Sequence, residues 1–295
     1  MLRVVREAKE LSGSGFNMSL SGGEPMIYKP LYSALELAHN IGVNFGFTTN
    51  GYLLTKQNVA KVVQHNPFNI NISIESVEPT INELVRPRRD GTKQTLEGID
   101  NLVMEKRRTG SRVSILVKPT IMNQTFRKLP DLVRYFKKYP EVQIHLQPYL
   151  GPADTGFWIS DITSFRQVMS EVLELRNHGH NVVIDEETIE GFTRYFNTPP
   201  KSETDWPRLE LNGSKRGCDV GYRTIGVMPN GDVHFCDYLQ KPVGNIYKQS
   251  LKEMYHGEVA KRMRTGIQGC NIDCQRTCQR PIPTMTKVRA FLKMG

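Results

Sequence analysis

The chain has 295 residues, 38% of them apolar and 23% charged, with a mean hydropathy of −0.43. That composition suits a soluble globular protein, one large domain or one domain with an appendage, and excludes a disordered, collagen-like or coiled-coil chain. Lys and Arg outnumber Asp and Glu by 39 to 30, a net charge of +9. The basic runs at Arg86–Arg89, Lys106–Arg108, Lys137–Lys138 and Lys261–Arg264 carry no interleaved aromatics and read as solvated helix surface, so no nucleic-acid partner is expected. No apolar run reaches the ~18 residues of a membrane helix. The opening MLRVVREAKELSG lacks the apolar core of a secretory signal, so no membrane partner and a cytoplasmic location are expected.

In chain order, five segments alternate between apolar and polar residues: Phe16–Leu20, Val43–Phe47, Phe68–Ile74, Val113–Val117 and Val142–Leu146. A period of two predicts strands. Between them lie helical stripes: Leu31, Ala34, Leu35 and Ala38; then Leu96, Ile99, Leu102 and Val103; then Leu129, Leu132, Val133 and Phe136. Strand and helix alternate, which predicts a parallel sheet in an α/β fold. Parallel strands buried on both faces usually read as unbroken apolar runs, and these do not. One face carries Asn17, Ser19, Asn44, Thr48, Asn69, Asn71, Ser73, Glu75, Ser114, Lys118, Gln143, His145 and Gln147. A sheet curved into a barrel around a wet, ligand-binding interior gives those groups partners. An open sheet with one solvated face is the alternative.

Residues 161–197 read as helical with a short strand at Val182–Ile184. The polar, turn-rich stretch from Thr198 onward sets a boundary: a barrel over 1–197, a linker over 198–212 and a small C-terminal domain over 213–295. In that domain two apolar runs, Ile225–Met228 and Val233–Phe235, flank an Asn230-Gly231 turn and predict a hairpin. All five cysteines fall here: Cys218, Cys236, Cys270, Cys274 and Cys278. An odd, clustered set in a chain without a secretory signal points to a metal centre rather than a disulfide framework.

In a parallel barrel the loops after the strands form the active face. The first strand runs into Ser21-Gly22-Gly23-Glu24-Pro25, the second into Thr48-Thr49-Asn50-Gly51 and the third into Ser73-Ile74-Glu75-Ser76. The paired glycines let backbone approach a ligand, and Glu24 offers a carboxylate to a cation such as an ammonium. No Gly-Lys-Ser/Thr follows, so the turn is not a phosphate loop.

LSGGEP, then TTNG, then ISIES followed by VRPRRDGTKQTLEGIDNL occur in an order and spacing that resemble the radical S-adenosylmethionine (radical SAM) superfamily over nearly the whole chain. The resemblance implies a partial (β/α)6 TIM-like barrel. It implies that Gly22, Gly23 and Glu24 hold the methionine ammonium of S-adenosylmethionine, that Ser73 faces the ribose and that Arg86 faces the carboxylate. Thr49 and Asn50 would line the same pocket, with Gln147 and Leu150 near the adenine. The cysteine block resembles the SPASM or shorter twitch type of auxiliary-cluster domain: Cys218, Gly231-x4-Cys236, a Gly244-Asn245 segment with a helix, then Cys270-x3-Cys274-x3-Cys278. It implies one [4Fe–4S] cluster on four thiolates, with Cys218 and Cys236 the surest ligands and Cys270 the spare. Tetrahedral zinc is the competing metal.

The superfamily's catalytic cluster sits on a Cys-x3-Cys-x2-Cys loop after the first barrel strand, upstream of LSGGEP. This chain opens at Met1 inside what resembles the first barrel helix, so that strand and loop are expected to be missing and the chain as written to perform no radical chemistry. The strand at 16–20 is then expected at an exposed edge. A parent enzyme would reductively cleave S-adenosylmethionine, draw electrons from a reductase or flavodoxin-type donor, and modify a substrate, with a peptide as first choice. Two rivals are a non-catalytic iron–sulfur protein used for electron transfer or as a structural clip, and a zinc-stapled barrel. No residue is assigned as catalytic.

Overall fold

The computed structural model describes residues 1–13, 16–151, 153–198, 220–236 and 241–268. The chain opens with α1 (Leu2–Ser12), then β1 (Asn17–Leu20), α2 (Pro30–Asn40), β2 (Asn44–Thr49), α3 (Lys56–Val63) and β3 (Asn69–Ile72). There follow α4 (Pro79–Val85), α5 (Gly91–Thr109), β4 (Ser114–Val117), β5 (Thr120–Ile121), α6 (Leu129–Phe136), β6 (Val142–His145), β7 (Gln147–Pro148), α7 (Ile162–Asn177), β8 (Val182–Val183) and α8 (Glu186–Asn197). The helix starts follow from their first residues. Pro30 opens α2, Thr55 accepts the Asn58 N–H (3.3 Å) at α3, and Asp161 and Asp185 cap α7 and α8 through Ser164 and Thr188.

Six strands form one sheet in the order β1-β2-β3-β4-β6-β8, every pair parallel. Each expected strand is present. The register aligns the two faces across the sheet. Leu20, Phe47, Ile70, Ile115 and Val142 form one row and Thr49, Ile72, Val117, Ile144 and Val182 the next. These rows face the helices, and all but Thr49 and the partly buried Leu20 belong to the buried apolar core. The opposite row runs Thr48, Asn71, Leu116, Gln143. The polar residues pair there: Asn44 Nδ2 donates to Asn17 Oδ1 (3.0 Å) and Asn71 Nδ2 to Thr48 Oγ1 (3.1 Å). The alternation read from sequence is thus an apolar outer face under helices and a polar inner face, with Leu116 the one apolar residue in that row. β1 occupies one edge, with β2 its partner among the described residues. Its open backbone is a template for another strand.

The C-terminal part contains α9 (Val220–Arg223), β9 (Gly226–Val227), β10 (Asp232–His234), β11 (Gly244–Asn245), α10 (Leu251–His256) and α11 (Glu258–Gln268). The expected hairpin is β9–β10, closed by a turn in which Gly231 adopts a φ of 85° and donates to Met228 O (2.9 Å). A side chain at Gly231 would also meet the Tyr247 ring at 2.5 Å, so glycine is required twice over. β11 completes an antiparallel sheet of three strands.

This part has its own buried cluster, Val220, Val233, Phe235, Val243, Leu251, Met254, Ala260 and Ile267, and Val4 of α1 belongs to it while Val5 belongs to the main core. Arg3 Nη2 donates to Gln249 O (3.0 Å), and Glu7 Oε2 accepts the Leu251 N–H (2.7 Å). One short helix therefore packs on both cores. The expected linker, 199–212 above all, lies outside the described residues.

Candidate cofactor site at the C-terminal ends of the strands

Gly22 and Gly23 follow β1 with φ of 85° and 52°, both exposed, and no atom lies within 4 Å of where a Cβ would stand on either. Their left-handed backbone leaves an open, unscreened ledge that L side chains would disfavour. Glu24 is part-buried and already engaged. Its Oε1 accepts from the Met26 N–H (3.0 Å) and the Thr49 hydroxyl (2.8 Å), and its Oε2 accepts from the Asn50 N–H (2.8 Å). The carboxylate expected to meet an ammonium is first of all a bracket that ties the turn after β1 to the end of β2. Oε2 keeps acceptor capacity beyond that one bond.

The next loops are knitted in series. Ser73 N donates to Thr49 O (3.0 Å), and the Thr95 hydroxyl of α5 donates to Asn50 O (2.8 Å). Gly98 lets α5 come this close, since a Cβ there would lie 2.6 Å from Gly51 O. The hydroxyl of Ser73 and the amide of Gln147 have no hydrogen-bond partner among the described residues. Gln147 sits on β7, which pairs in parallel with β5 as a second, two-stranded sheet, and Leu150 packs half-buried on the core just beyond. No periodic signal marks this pair, since two-residue strands have no alternation to read.

Arg86 ends α4 and is paired rather than free. Its Nε and Nη2 bind the two carboxylate oxygens of Glu75, whose side chain is 1% exposed against 31% for the arginine. Burial pulls the arginine pKa down, but the Glu75 hydrogen bonds and charge outweigh it and the net shift is upward. Two of five guanidinium N–H donors are used, which leaves donors for a ligand carboxylate. Asn82 holds the same loop: its Oδ1 accepts the Glu75 and Ser76 N–H groups (3.0 and 3.3 Å), and its Nδ2 donates to Thr92 (3.0 Å).

On the inner face His145 Nε2 contacts Gln143 Oε1 (2.6 Å). An amide oxygen only accepts, so Nε2 carries the proton and Nδ1 the lone pair. Burial, with a smaller push from the Lys118 charge, brings this imidazole down to about 4. The folded state binds its proton less readily than the unfolded chain, whose histidine titrates near 6.5. Its contribution is therefore complete above about pH 6.5 and lost as pH falls toward 4, up to about 3 kcal/mol. Urea unfolding from pH 7 to 4 should show the fall, and His145→Gln should flatten it. Equal slopes for both proteins would refute the assignment.

In the C-terminal part Cys236 stands two residues beyond the end of β10 and is half-buried. Cys218, Cys270, Cys274 and Cys278 lie outside the described residues. Among the described residues no three His, Cys, Asp or Glu side chains gather as a metal site. The thiolate donor set suits an iron–sulfur cluster, and a buried guanidinium nitrogen of Arg264 without a partner adds a donor aimed at nothing the described residues supply. For S-adenosylmethionine the fit is the open ledge at Gly22–Gly23 and the spare polar groups of Ser73, Arg86 and Gln147. A groove of about 1090 Å³ lies at the opposite end of the strands, between Asn44, Phe68, Ser114, Lys61 and Arg108. None of the expected site residues lines it. Among the described residues no helix is long and apolar enough to cross a membrane.

The Radical SAM superfamily profile matches residues 1–136, and the SPASM profile, an iron–sulfur cluster-binding domain, matches residues 218–280. An AdoMet-dependent heme synthase of Methanosarcina barkeri is 21% identical over 83% of this chain and 70% of its own length. The sporulation killing factor maturation protein SkfB of Bacillus subtilis is 21% identical over 88% of this chain and 57% of its own. The chain thus spans 57 to 70% of the length of these curated relatives. Among solved structures, Streptococcus suis SuiB bound to S-adenosylmethionine superposes with a TM-score of 0.65 at 17% identity, covering 89% of this chain and 59% of SuiB. AnSMEcpe with bound AdoMet gives 0.61 at 16% identity over 88% and 72%. Strands β1 to β5 with the loops that follow them fall within the first profile and all five cysteines within the second, so residues 1–136 match the radical SAM superfamily and residues 218–280 a SPASM-type iron–sulfur cluster-binding domain.

Proposed function

We propose that the chain comprises the S-adenosylmethionine-binding barrel (1–197) and the auxiliary-cluster domain (213–295, after a 198–212 linker) of a peptide-modifying radical enzyme. The observation that carries this reading is the chain of bonds from Glu24 through Thr49 and Asn50 to Ser73, which fixes three loops around the bare Gly22–Gly23 ledge. Backbone groups of Gly22 and Gly23 with the spare capacity of Glu24 receive the ammonium. The free donors of Arg86 take the carboxylate, the Ser73 hydroxyl meets the ribose, and Gln147 with Leu150 meets the adenine. A reduced iron–sulfur cluster, for which residues 1–217 hold no thiolate, would supply the electron for reductive cleavage of S-adenosylmethionine bound there. The barrel's own contribution is to orient the sulfonium ligand and keep water from it.

A peptide substrate is supported by the neighbours. SuiB has been crystallised bound to the precursor peptide SuiA and anSMEcpe with the Cp18Cys peptide, and SkfB matures sporulation killing factor. Electrons would come from a reductase or flavodoxin-type donor. Residues 1–217 contain no cysteine, so none of them offers a thiolate to a cluster in the barrel.

The expected result is weak binding of S-adenosylmethionine by calorimetry and no 5′-deoxyadenosine with dithionite. Absence of an iron chelate costs several kcal/mol, and each ~1.4 kcal/mol is tenfold in affinity. Adding a strand and a Cys-x3-Cys-x2-Cys loop ahead of Met1 should bring cleavage. Release of 5′-deoxyadenosine by the unextended chain would contradict the placement of chemistry in such a loop. A chain that binds its cluster but no S-adenosylmethionine at all would favour a non-catalytic iron–sulfur protein.

A further inference from the structure

The basic run Lys261–Arg264 reads from sequence as solvated surface, and Lys261 and Arg262 are exposed, but Arg264 is 7% exposed. Its Nε donates to Gly221 O (3.0 Å). Its guanidinium lies over the rings of Tyr255 (4.0 Å), Phe235 (4.8 Å) and Tyr222 (5.1 Å). Nη2 is fully buried and has no hydrogen-bond partner among the described residues. Ring faces attract the cation but accept nothing in the plane of the guanidinium, so the in-plane N–H groups of Nη2 are left unmet. A buried guanidinium with idle donors is costly enough that native structures supply an acceptor.

The missing acceptor is located by what Arg264 touches. Gly221 comes three residues after Cys218, and Phe235 immediately precedes Cys236. Gly221 is itself fitted to the arginine, since a Cβ there would lie 3.0 Å from Arg264 Cγ. The side chain thus spans the two segments that deliver the surest thiolates. A cluster on four thiolates is anionic, gains a further negative charge on reduction, and has sulfur atoms that accept hydrogen bonds. We propose that Arg264 is the buried counter-cation of the auxiliary cluster, donating from Nη2 to a cluster or cysteine sulfur and favouring the reduced state. This rests on the reading of residues 218–280 as a cluster domain.

The test uses the whole chain reconstituted with iron and sulfide, with metal content measured first and the midpoint potential second, by redox titration followed by electron paramagnetic resonance. Arg264→Met removes charge and donor at similar length, and Arg264→Lys keeps the charge. At the wild-type midpoint, the reduced-to-oxidised ratio should fall at least tenfold in Arg264→Met, about 59 mV for a one-electron couple. Arg264→Lys should recover most of it. A fully loaded Arg264→Met with the wild-type midpoint overturns the proposal. Should Arg264→Met fail to hold a cluster, wild-type chain labelled with [15N]arginine decides. Electron–nuclear double resonance of its reduced cluster should show coupling to an arginine nitrogen and an exchangeable proton, and absence of both overturns the proposal. A wild-type chain that takes up no iron refutes the cluster reading itself, and the role of Arg264 with it.

Discussion

Cys236→Ala should abolish cluster uptake in chain prepared anaerobically with iron and sulfide, while the parent chain should carry about four iron and four sulfide. The expectation follows from the position of the thiol as much as its identity. Cys236 stands two residues beyond β10, whose register against β9 and β11 is fixed by the Gly231 turn and by Asn245, which donates to Asn230 O (3.1 Å) and Asp232 Oδ1 (3.0 Å). No neighbouring cysteine on that hairpin could take its place. A cluster short of one thiolate exposes an iron to water and to loss. Cys270→Ala should keep the metal, because four thiolates remain. Stoichiometric zinc without iron, in protein made under iron-replete anaerobic conditions, would replace the cluster assignment with a zinc site.

Arg86→Ala should destabilise the chain by about 3–5 kcal/mol, read as a lower urea midpoint at unchanged slope. The pair is asymmetric. Glu75 is almost wholly buried, and Arg86 supplies the two-pronged contact that compensates its charge. Removing the arginine strands a carboxylate in the core beside Asn82, and the desolvation penalty is then unopposed. Removing both charges should cost far less, so Glu75→Gln combined with Arg86→Met should regain most of the loss. A single Arg86→Ala within about 1 kcal/mol of the parent would show that Glu75 finds water or protonates without penalty. S-adenosylmethionine affinity adds a separate axis: if the spare guanidinium donors hold its carboxylate, Glu75→Gln should weaken binding less than Arg86→Met.

The sheet was legible because its strands alternate. Asn69-Ile70-Asn71-Ile72 and Val142-Gln143-Ile144-His145 carry their orientation in their spelling, and the register places every such residue on the expected face. The loops after β1, β2 and β3 were legible through family resemblance alone; spacing by itself described them only as polar turns. Intramolecular partners were not legible. Nothing periodic links Glu24 to Thr49 across 25 residues, or Arg86 to Glu75 across 11, so groups read as waiting for a ligand are in fact first engaged with their own chain. Arg264 was misread for a related reason. Burial of a single arginine inside a basic run depends on rings from Tyr222 of α9, Phe235 just after β10 and Tyr255 of α10, two of which lie about 30 to 40 residues upstream in sequence.

The double attachment of α1 also has a consequence in time. Val4 finds Val220 and its neighbours only across more than 200 residues, and the Arg3–Gln249 bond spans 246. At a synthesis rate of about 5–20 residues per second, the outer side of this helix waits roughly 10–50 s after emerging before its partners exist. The barrel core can claim Val5 at once. The opposite side stays wet until α10 and α11 are made, so the segment that completes this buried cluster is synthesised long before the rest of it. Assembly of that part is therefore a closing event, and iron delivered during translation would meet Cys218 and Cys236 before α10 and α11 exist.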